Sequence, residues 1–497
     1  MDFTKLQNGS DIRGVAMGEG LQLSNDVAFA IGAAFALFLK SKGFSSPKVS
    51  IGRDPRLTGA ELSVHLAKGL YSQGASLVYD FGICTTPAMF ESTQDSELDC
   101  SGAVMVTASH LPADRNGFKF FTKSGGTDAS DIAELLDIAA TVSVGPNIDN
   151  ASHKVDYLDV YAANLARLIQ QKTGLKAPFK GFKIIVDAGG GSGGFFVDKV
   201  LKTLGANTSG SVFIEPDGTF SGHVPNPEDL NALSEFAEIV KAEKADLGII
   251  FDTDVDRAAI IDKGGGIIGR SKLIALMSSI ILADYPNTTI VTDSVTSISL
   301  KSFIEDRGGV HCRYMRGYNN VIKKAISLNE EGIDSQMAIE TSGHCALKEN
   351  RFLDDGAYLA VRVLARFASL AKEGKSLSSD LAGYEDPRYE FEARIDIASE
   401  DFKKAGAGVI KAFSSLAENT NGWEIEEPNY EGVRINATAL GAWILMRMSL
   451  HDPVIVINVE TQALGSVPIL ANWLREFFEK LPDAKQFKTG EIDKYAS

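Results

Sequence analysis

Short apolar runs rich in β-branched residues recur along the chain, and each one ends in a polar or glycine-rich loop before a helical stretch. Five such runs are KVSIGRD, KIIVDAGGG, LGIIFDTD, TTIVTDS and MAIETSGH, which begin at residues 48, 183, 247, 288 and 337. Strands that alternate with helices are typical of α/β domains. Because functional loops in these sheets follow the carboxyl ends of strands, we expect the chemistry at the run endings.

The length and the loop-like stretches predict four domains. A chain of 497 residues holds about three domains at roughly 150 residues each, with two to four reasonable. Polar or turn-rich segments interrupt the pattern at residues 143–154 and 263–270, and a strand pattern resumes near 383–396. We therefore predict three α/β domains over residues 1–153, 154–263 and 264–387, and a smaller C-terminal α+β domain over 388–497.

Composition and charge narrow the classes of partner. Hydrophobic residues make up 44% and charged residues 23%, as in soluble globular proteins that bury full cores. The formal net charge of −16 repels phosphate polymers and anionic lipid, so neither nucleic acid nor membrane is an expected partner. The apolar run 27–39 is shorter than the roughly 20 residues of a membrane span, and it predicts a buried helix capped by Ser24, Asn25 or Asp26.

The four cysteines and the first residues bear on the cellular compartment of the protein. No C-x-x-C pair links Cys84, Cys100, Cys312 and Cys345, which favours a reducing compartment over a zinc or disulfide framework. The opening residues MDFTKLQNGS lack a secretory signal. We expect a soluble intracellular protein in the cytoplasm or, after removal of a transit peptide, in a plastid.

A loop of three carboxylates, Asp252, Asp254 and Asp256, directly follows the run LGIIF. Alternating carboxylates repel one another, so their convergence at a strand end predicts a hard cation such as Mg²⁺. Arg257 and Lys263 replace the glycine and glutamate that an EF-hand requires. A solvated turn without function is one alternative. A second functional interpretation is a haloacid-dehalogenase-like phosphatase with Asp252 as nucleophile and Asp254 as acid/base.

The loop TASHLP (107–112) follows the run GAVMV and presents Ser109. An ordinary turn serine is the usual interpretation of such a residue in isolation. Arg115 and Lys119 favour phosphate chemistry instead, because cations stabilise a phosphate at that hydroxyl. His110 is a poor candidate for the general base, since adjacent side chains in extended backbone point in opposite directions.

The loop 189–194 matches G-x-G-x-x-G after a strand, and Glu215 is predicted to end a later strand about 20 residues on, the spacing of the ribose contact in a dinucleotide site. Asp187 would bring a carboxylate towards the pyrophosphate, so we favour a structural glycine turn.

Two further loops carry groups suited to a phosphorylated sugar. Glu340, Ser342 and His344 offer an acid, a hydroxyl and an imidazole at alternating positions, as neighbouring sugar hydroxyls require. Farther on, RMSLHDP offers donors that suit a dianionic phosphate, although a surface turn is also allowed; these donors are Arg447, Ser449 and His451.

In this order, the loops resemble those of the α-D-phosphohexomutase superfamily over nearly the whole chain. GSDIRG (9–14), IGRDPRLTG (51–59) and TTP (85–87) resemble its N-terminal segments. TASHLPADRNGFK resembles its phosphoserine loop, DTDVDR its magnesium loop, ETSGH its sugar-specificity loop and RMSLHDP its phosphate-clamping loop. The resemblance implies three α/β domains with mixed sheets and one α+β domain around a central cleft.

The resemblance also implies residue roles. Ser109 would carry the phosphate, Lys119 and His344 would move protons, Arg13 would contact phosphate and Arg257 would add a donor. His110 belongs to the same catalytic loop. One Mg²⁺ would bind the three aspartates and an oxygen on Ser109. Glu340, Ser342 and His344 would bind the sugar, and Arg447, Ser449 and His451 the distal phosphate.

The implied reaction interconverts hexose 1-phosphate and hexose 6-phosphate through a hexose 1,6-bisphosphate, by a monomer or homodimer that acts on small phosphosugars. Departures keep alternatives open. RMSLHDP differs from the usual Arg-Pro-Ser-Gly-Thr-Glu-Pro, and Tyr318 stands where phosphomannomutase-like members often have histidine. A glucose 1,6-bisphosphate synthase, a phosphoglucosamine mutase and a weakly active phosphosugar-binding regulatory protein are the alternatives.

Overall fold

The computed structural model describes residues 2–145, 152–449, 452–463 and 465–496. The chain divides into two compact units. One comprises Met1–Asp284 and Gln336–Asp380, and the other comprises Tyr285–Ser335 and Leu381–Ser497.

The N-terminal segment forms a mixed sheet with helices on its faces. Its strands lie in the order β1-β2-β6-β5-β3-β4-β8, with β7 on β6, and the pairs β3–β4, β3–β5 and β4–β8 are parallel. The strands are β1 (Gln7–Asn8), β2 (Asp11–Val15), β3 (Lys48–Arg53), β4 (Leu77–Ile83), β5 (Gly102–Val106), β6 (Arg115–Thr122), β7 (Gly125–Gly126) and β8 (His153–Lys154). The helices are α1 (Asn25–Ser41), α2 (Gly59–Ser72), α3 (Thr86–Gln94) and α4 (Ala129–Thr141).

The predicted buried helix is α1. The Ser24 hydroxyl accepts from the Val27 amide at its N-terminus, which satisfies one of the orphan donors of the first turn. Its apolar residues join α2, α4 and the strands in one hydrophobic core. Among the described residues, no helix is long and apolar enough to cross a membrane.

The second segment forms a four-stranded mixed sheet in the order β12-β11-β10-β9, in which only β9 and β10 are parallel. Phe236 and Val240 of α6 pack onto it in a buried cluster with Ile185 and Ile250. The elements are α5 (Tyr157–Thr173), β9 (Ile184–Asp187), a π-helical turn (Phe196–Leu201), α6 (Leu230–Ala242), β10 (Leu247–Phe251), β11 (Ala258–Asp262) and β12 (Ile267–Ile268).

The third segment contributes strands to both units. Within one unit β15, β16 and β17 pair antiparallel, and within the other β13 and β14 pair in parallel. The helices are α7 (Arg270–Asp284), α8 (Ile298–Asp306), α9 (Tyr318–Glu330) and α10 (Gly356–Lys372). The strands are β13 (Thr289–Thr292), β14 (Val310–Arg313), β15 (Ser335–Ile339), β16 (Cys345–Leu347) and β17 (Leu353–Asp354).

The C-terminal segment is an α+β domain with a six-stranded antiparallel sheet in the order β19-β20-β21-β22-β18-β23. Phe413 of α11 and Leu474 of α12 lie in its core with the inward residues of the strands. The strands are β18 (Tyr389–Ile397), β19 (Trp423–Ile425), β20 (Val433–Ala437), β21 (Ala442–Met448), β22 (Val454–Thr461) and β23 (Phe487–Lys488). The helices are α11 (Phe402–Glu418), α12 (Ser466–Glu479) and α13 (Gly490–Asp493).

The predicted fold class is confirmed: α/β segments with mixed sheets precede an α+β domain. All five β-branched runs are strands, namely β3, β9, β10, β13 and β15. The loops after β5, β10 and β15, where chemistry is expected, all belong to the first unit. One detail is wrong, because Glu215 does not end a strand; only an isolated bridge joins Val212 to Asp187 in that region.

Candidate active site

The loop after β10 buries three carboxylates together. Asp252, Asp254 and Asp256 are each at most 2% exposed, and one oxygen from each lies within 4.8 Å of the others. Val255 between them has a φ of +66°, a left-handed conformation that a β-branched residue adopts only at a cost in energy. The surrounding fold therefore holds a strained turn that concentrates negative charge.

Two buried cations lie against this cluster. Lys119 on β6 places Nζ 2.8 Å from Asp254 Oδ2 and 2.5 Å from Asp256 Oδ2. Arg257 donates from Nε and Nη2 to Asp252 Oδ2, each at 3.2 Å, and from its backbone N–H to Asp252 Oδ1 at 3.2 Å. Both oxygens of Asp252 are thus engaged by Arg257, an arrangement unsuited to the nucleophile of the phosphatase interpretation.

The carboxylates retain capacity for a metal ion. Oδ1 of Asp254 and Oδ1 of Asp256 are buried and accept no hydrogen bond from the described residues. Burial, and then the charges of Asp256 and Asp254, raise the pKa of Asp252 well above its usual value. Although burial raises it, neighbouring Lys119, His344 and Arg257 hold the pKa of Asp256 below its usual value. Oxygen ligands with this surplus of negative charge fit Mg²⁺.

Ser109 follows β5 and meets this loop. Its Oγ lies 3.3 Å from Asp252 Oδ2 and 3.3 Å from Arg257 Nη2, across more than 140 residues of chain. The residue is 3% exposed and has a φ of +53°. The hydroxyl is therefore fixed between a carboxylate and a guanidinium, as a phosphate carrier beside a metal site requires.

The position of His110 corrects one expectation. Because Ser109 has a positive φ, the backbone is not extended, and His110 Nδ1 lies 3.3 Å from the Ser109 hydroxyl instead of pointing away. Burial, followed by the charges of Arg257 and Arg13, lowers the pKa of His110 to about 3. Its Nδ1 lies 2.8 Å from Arg257 Nη2. The imidazole is thus near the serine but a weak base.

Arg13 lies on β2 with Nη2 2.8 Å from Asp11 Oδ2. β2 pairs antiparallel with β6, the strand that carries Lys119, and Arg13 is opposite Gly117 in that pair. Its charge is among those that act on His110. The structure therefore places Arg13 close to the serine loop.

The loop after β15 packs against the carboxylate loop, residues 252–257. The Ala258 amide donates to the Gly343 carbonyl at 3.5 Å, and Arg257 forms a backbone bridge with His344. Gly343 has a φ of +93°, and a Cβ there would lie 2.8 Å from the Ala258 carbonyl oxygen, so glycine is required for this approach. The Ser342 hydroxyl donates to Glu340 at 3.3 Å.

Asp354 at the end of β17 is a site residue that the motif search missed. Its carboxylate contacts Nδ1 of His344, which also lies 3.9 Å from Asp256 Oδ1. Burial alone lowers the pKa of His344, but Asp354 and Asp256 outweigh burial and raise it. The sequence signal for this residue was the acidic pair Asp354 and Asp355 directly before α10, which lies outside the ETSGH motif.

Thr86 was also missed as a site residue. Its backbone N–H donates to the Asp254 carbonyl at 2.9 Å, and its hydroxyl donates to Asp254 Oδ2. The residue begins α3 beside Pro87, so the TTP motif was the signal. Through Thr86, this motif of the N-terminal segment holds the carboxylate loop in place.

The glycine-rich loop 189–194 packs against the carboxylate loop. A Cβ on Gly191 would lie 2.6 Å from the Thr253 carbonyl oxygen, and the Ser192 amide donates to that oxygen at 2.8 Å. Asp187 before the loop pairs with His223 at 2.9 Å. These contacts account for the glycines as packing requirements, in line with the structural interpretation.

The second unit contains the sequence-predicted clamp. Arg447 is 6% exposed at the end of β21, with Nη1 3.5 Å from Glu431 Oε1. The Ser449 hydroxyl accepts from the Asp452 amide at 3.3 Å and lies 3.5 Å from the Asp452 carboxylate. His451 lies outside the described residues, so the histidine of the predicted clamp has no structural description.

Three family models match the chain in sequence order. They are described as phosphoglucomutase/phosphomannomutase alpha/beta/alpha domains I, II and III, and they match residues 4–143, 159–266 and 270–386. The described loops around Ser109, Asp252 and Glu340 each fall in a different one of these models.

Similar proteins cover nearly the whole chain. A phosphomannomutase/phosphoglucomutase of Pseudomonas putida is 30% identical over 91% of this chain and 91% of its own. The crystal structure of a phosphoglucomutase/phosphomannomutase family protein from Burkholderia thailandensis has a TM-score of 0.78 at 26% identity, covering 96% of this chain and 97% of its own. An N-acetylphosphoglucosamine mutase of Aspergillus fumigatus, in complex with GlcNAc-6P and magnesium, shares the fold at 14% identity, with a TM-score of 0.57 and 94% coverage of each chain.

Proposed function

The chain belongs to the phosphoglucomutase/phosphomannomutase family, and from this premise we propose that it is a mutase that interconverts hexose 1-phosphate and hexose 6-phosphate. Glucose and mannose phosphates are the proposed substrates, with a hexose 1,6-bisphosphate as intermediate and activator. The observation that carries the proposal is the Ser109 hydroxyl, 3.3 Å from both Asp252 and Arg257.

In the proposed reaction Ser109 carries a phosphoryl group. A hydroxyl of the bound hexose phosphate attacks phosphorus, the bond between phosphorus and the Ser109 oxygen breaks, and a bisphosphate forms. The bisphosphate then turns over, and its other phosphoryl group returns to Ser109, which restores the phosphoenzyme. Arg257 is proposed to donate to the oxygens of the transferring group in both halves.

Protons move in opposite directions in the two halves. The attacking sugar hydroxyl loses a proton in the first half, and the departing sugar oxygen regains one in the second. Lys119 and His344 are the groups proposed to accept and return these protons. Each contacts the buried carboxylate of Asp256 from a different part of the chain. Asp354 fixes the orientation of the His344 ring through Nδ1.

Asp252, Asp254 and Asp256 are the proposed ligands of one Mg²⁺, together with an oxygen on Ser109. When bound, the ion supplies positive charge that offsets the negative charge of phosphoryl transfer. The orphan oxygens on Asp254 and Asp256 support this assignment, as does the magnesium in the Aspergillus complex.

Substrate recognition is divided between the loops. Glu340, Ser342 and His344 are proposed to bind sugar hydroxyls, and Arg447, Ser449 and His451 to bind the distal phosphate. GlcNAc-6P in the Aspergillus complex supports a phosphorylated hexose as the substrate class.

A second candidate is a glucose 1,6-bisphosphate synthase with the same phosphoserine. The observation that favours it is Asp452, whose carboxylate lies 3.5 Å from the Ser449 hydroxyl within the clamp loop. The negative charge of Asp452 would repel a dianionic phosphate bound by the Ser449 hydroxyl. This repulsion favours release of the bisphosphate before it turns over.

A coupled assay with glucose 1-phosphate, with and without added glucose 1,6-bisphosphate, tests the proposal. A mutase yields glucose 6-phosphate and is stimulated by the bisphosphate. A synthase yields little glucose 6-phosphate and, with no further phosphoryl donor to renew the phosphoserine, releases one glucose 1,6-bisphosphate per phosphorylated Ser109, which the phosphorus NMR spectrum measures against the enzyme concentration. Intact-protein mass spectrometry is expected to show a phosphate-sized increment that Ser109→Ala removes. Normal activity in Ser109→Ala, with loss of activity in Asp252→Asn, would replace the proposal with the phosphatase interpretation.

A further inference from the structure

Arg56 lies beneath the loop that carries Ser109, with a side chain that is 0% exposed. It belongs to the loop between β3 and α2, outside every group assigned to substrate or metal above. A buried guanidinium is costly unless all its donors are satisfied, so its partners indicate its role.

The guanidinium donates to four carbonyl oxygens, three in the loop after β5 and one on Arg115, the first residue of β6. Nη1 donates to Pro112 at 2.7 Å and Arg115 at 2.9 Å, and Nη2 donates to Leu111 at 2.7 Å and also to Ser109. One side chain thus binds the carbonyls of the loop residues Ser109, Leu111 and Pro112 together with that of the strand that follows them. The loop conformation, including the positive φ of Ser109, therefore depends on Arg56.

A second chain of contacts connects Arg56 to the Ser109 amide. Nε donates to Asp54 Oδ2 at 3.0 Å, which accounts for the fifth donor of the guanidinium. The Thr107 hydroxyl donates to the same carboxylate oxygen at 2.6 Å, and it accepts from the Ser109 amide at 2.8 Å. Ser109 is thus held through its carbonyl by Arg56 directly and through its amide by Asp54 and Thr107.

We propose that Arg56, acting with Asp54 and Thr107, is a positioning residue for phosphoryl transfer that holds the Ser109 oxygen beside Asp252 and Arg257. The inference rests on the proposed mutase function. Arg56 touches no group that reacts, and it acts by fixing both peptide groups of the serine. Its loss is expected to slow transfer to and from Ser109 while substrate binding by the other loops is retained.

The test compares two pairs of variants. Arg56→Met removes all five donors and Arg56→Lys keeps the charge without the planar fork. Thr107→Val is isosteric but removes both hydrogen bonds, and Thr107→Ser restores the hydroxyl. Arg362→Met is the control for a lost buried arginine. Arg362 lies on α10 and pairs with Asp284 at the end of α7 and with Glu349 between β16 and β17, not with the loop that carries Ser109.

Two rates and one Michaelis constant are measured on folded protein, with circular dichroism and thermal midpoints as the check on folding. The steady-state assay gives kcat and KM for glucose 1-phosphate. Intact mass gives the single-turnover rate at which glucose 1,6-bisphosphate phosphorylates dephosphorylated Ser109. Arg56→Met and Thr107→Val are expected to lower kcat and the single-turnover rate by about 10- to 100-fold, with KM changed by less than about 3-fold. Thr107→Ser is expected to recover most of that loss, and Arg362→Met to leave both rates near the wild-type values.

A folded Arg56→Met or Thr107→Val protein with wild-type kcat and single-turnover rate would overturn the positioning role. If Arg56→Met does not fold, Thr107→Val against Thr107→Ser decides the question. Failure of the proposed function is a separate result, in which the wild-type protein itself neither accepts phosphate on Ser109 nor forms hexose 6-phosphate; the positioning role would then fall with it.

Discussion

The Lys119 ammonium nitrogen lies 2.8 Å from Oδ2 of Asp254, although 135 positions of chain separate the two residues. Both side chains are almost completely buried, and Lys119 also lies 2.5 Å from Asp256 Oδ2. The lysine is thus a counter-charge for Asp254 and shares Asp256 with Arg257, whose Nε lies 3.8 Å from Asp256 Oδ1. A cation that binds these carboxylates shares them with Lys119.

Replacing Lys119 with Met is expected to destabilise the metal-free protein by about 3–5 kcal/mol, because one partner of a buried ion pair is removed. Added Mg²⁺ is expected to restore part of this loss, so the Mg²⁺-induced rise in thermal midpoint becomes larger than in wild type. Mutase activity is expected to fall by at least about 100-fold. Lys123→Met is the control, since that exposed lysine pairs with Asp99 at the surface. Equal midpoint shifts in the three proteins would contradict the shared-carboxylate account.

Asp254→Asn is expected to weaken Mg²⁺ dependence far more than it changes KM for glucose 1-phosphate. Loss of one charged ligand in three is expected to lower activity by about 100-fold at a fixed Mg²⁺ concentration, through weaker electrostatic stabilisation. A Mg²⁺ titration of the initial rate measures this effect. Asp137→Asn, an exposed change on α4, controls for the loss of one negative charge, and a titration curve identical to wild type would remove Asp254 from the site.

The pair of His223 and Asp187 predicts a pH effect on stability. His223 Nε2 lies 2.9 Å from Asp187 Oδ2. Although burial lowers the pKa of His223, the hydrogen bond to Asp187 outweighs it and raises that pKa. A raised folded-state pKa gives stability that is fully present below the unfolded value of about 6.5 and is lost as pH rises through the folded value.

His223→Gln is therefore expected to lower the thermal midpoint more at pH 6 than at pH 9, with a difference of about 2 °C. Thermal melts of both proteins across this range provide the measurement. His153→Gln changes an exposed histidine on β8 and is expected to leave the pH profile as in wild type. A constant difference between His223→Gln and wild type at all pH values would show that the pair contributes no proton-linked stability.

Arg447→Ala is expected to raise KM for glucose 1-phosphate by about 10- to 100-fold, since it removes a permanent charge from the proposed phosphate site. Glu431→Gln is expected to lower KM, because the Glu431 carboxylate lies 3.5 Å from Arg447 Nη1 and competes with phosphate for it. Arg475→Ala on α12 controls for the loss of an arginine elsewhere in the same domain. Unchanged KM values in both Arg447→Ala and Glu431→Gln would separate this loop from substrate binding.

The sequence was sufficient for the fold class, because strand and helix periodicities are local properties of the chain. The β-branched runs before Asp252 and Glu340 are strands β10 and β15, and the apolar run 27–39 is part of α1. The same locality made the carboxylate loop recognisable, since three alternating aspartates after a buried strand already imply a cation.

Only the tertiary structure decided which distant groups meet. The contacts of Lys119 with Asp254, of His344 with Asp354 and of Arg56 with the Ser109 loop join separate elements, and no local period encodes them. The turn at Ser109 shows the same limit at short range: its positive φ brings His110 beside the hydroxyl, whereas extended backbone would turn it away. Residue types and spacing determine which chemistry a loop offers. Tertiary packing determines the partners of each buried charge, because a charge removed from water must be compensated by groups that are near it in space and can be distant in sequence.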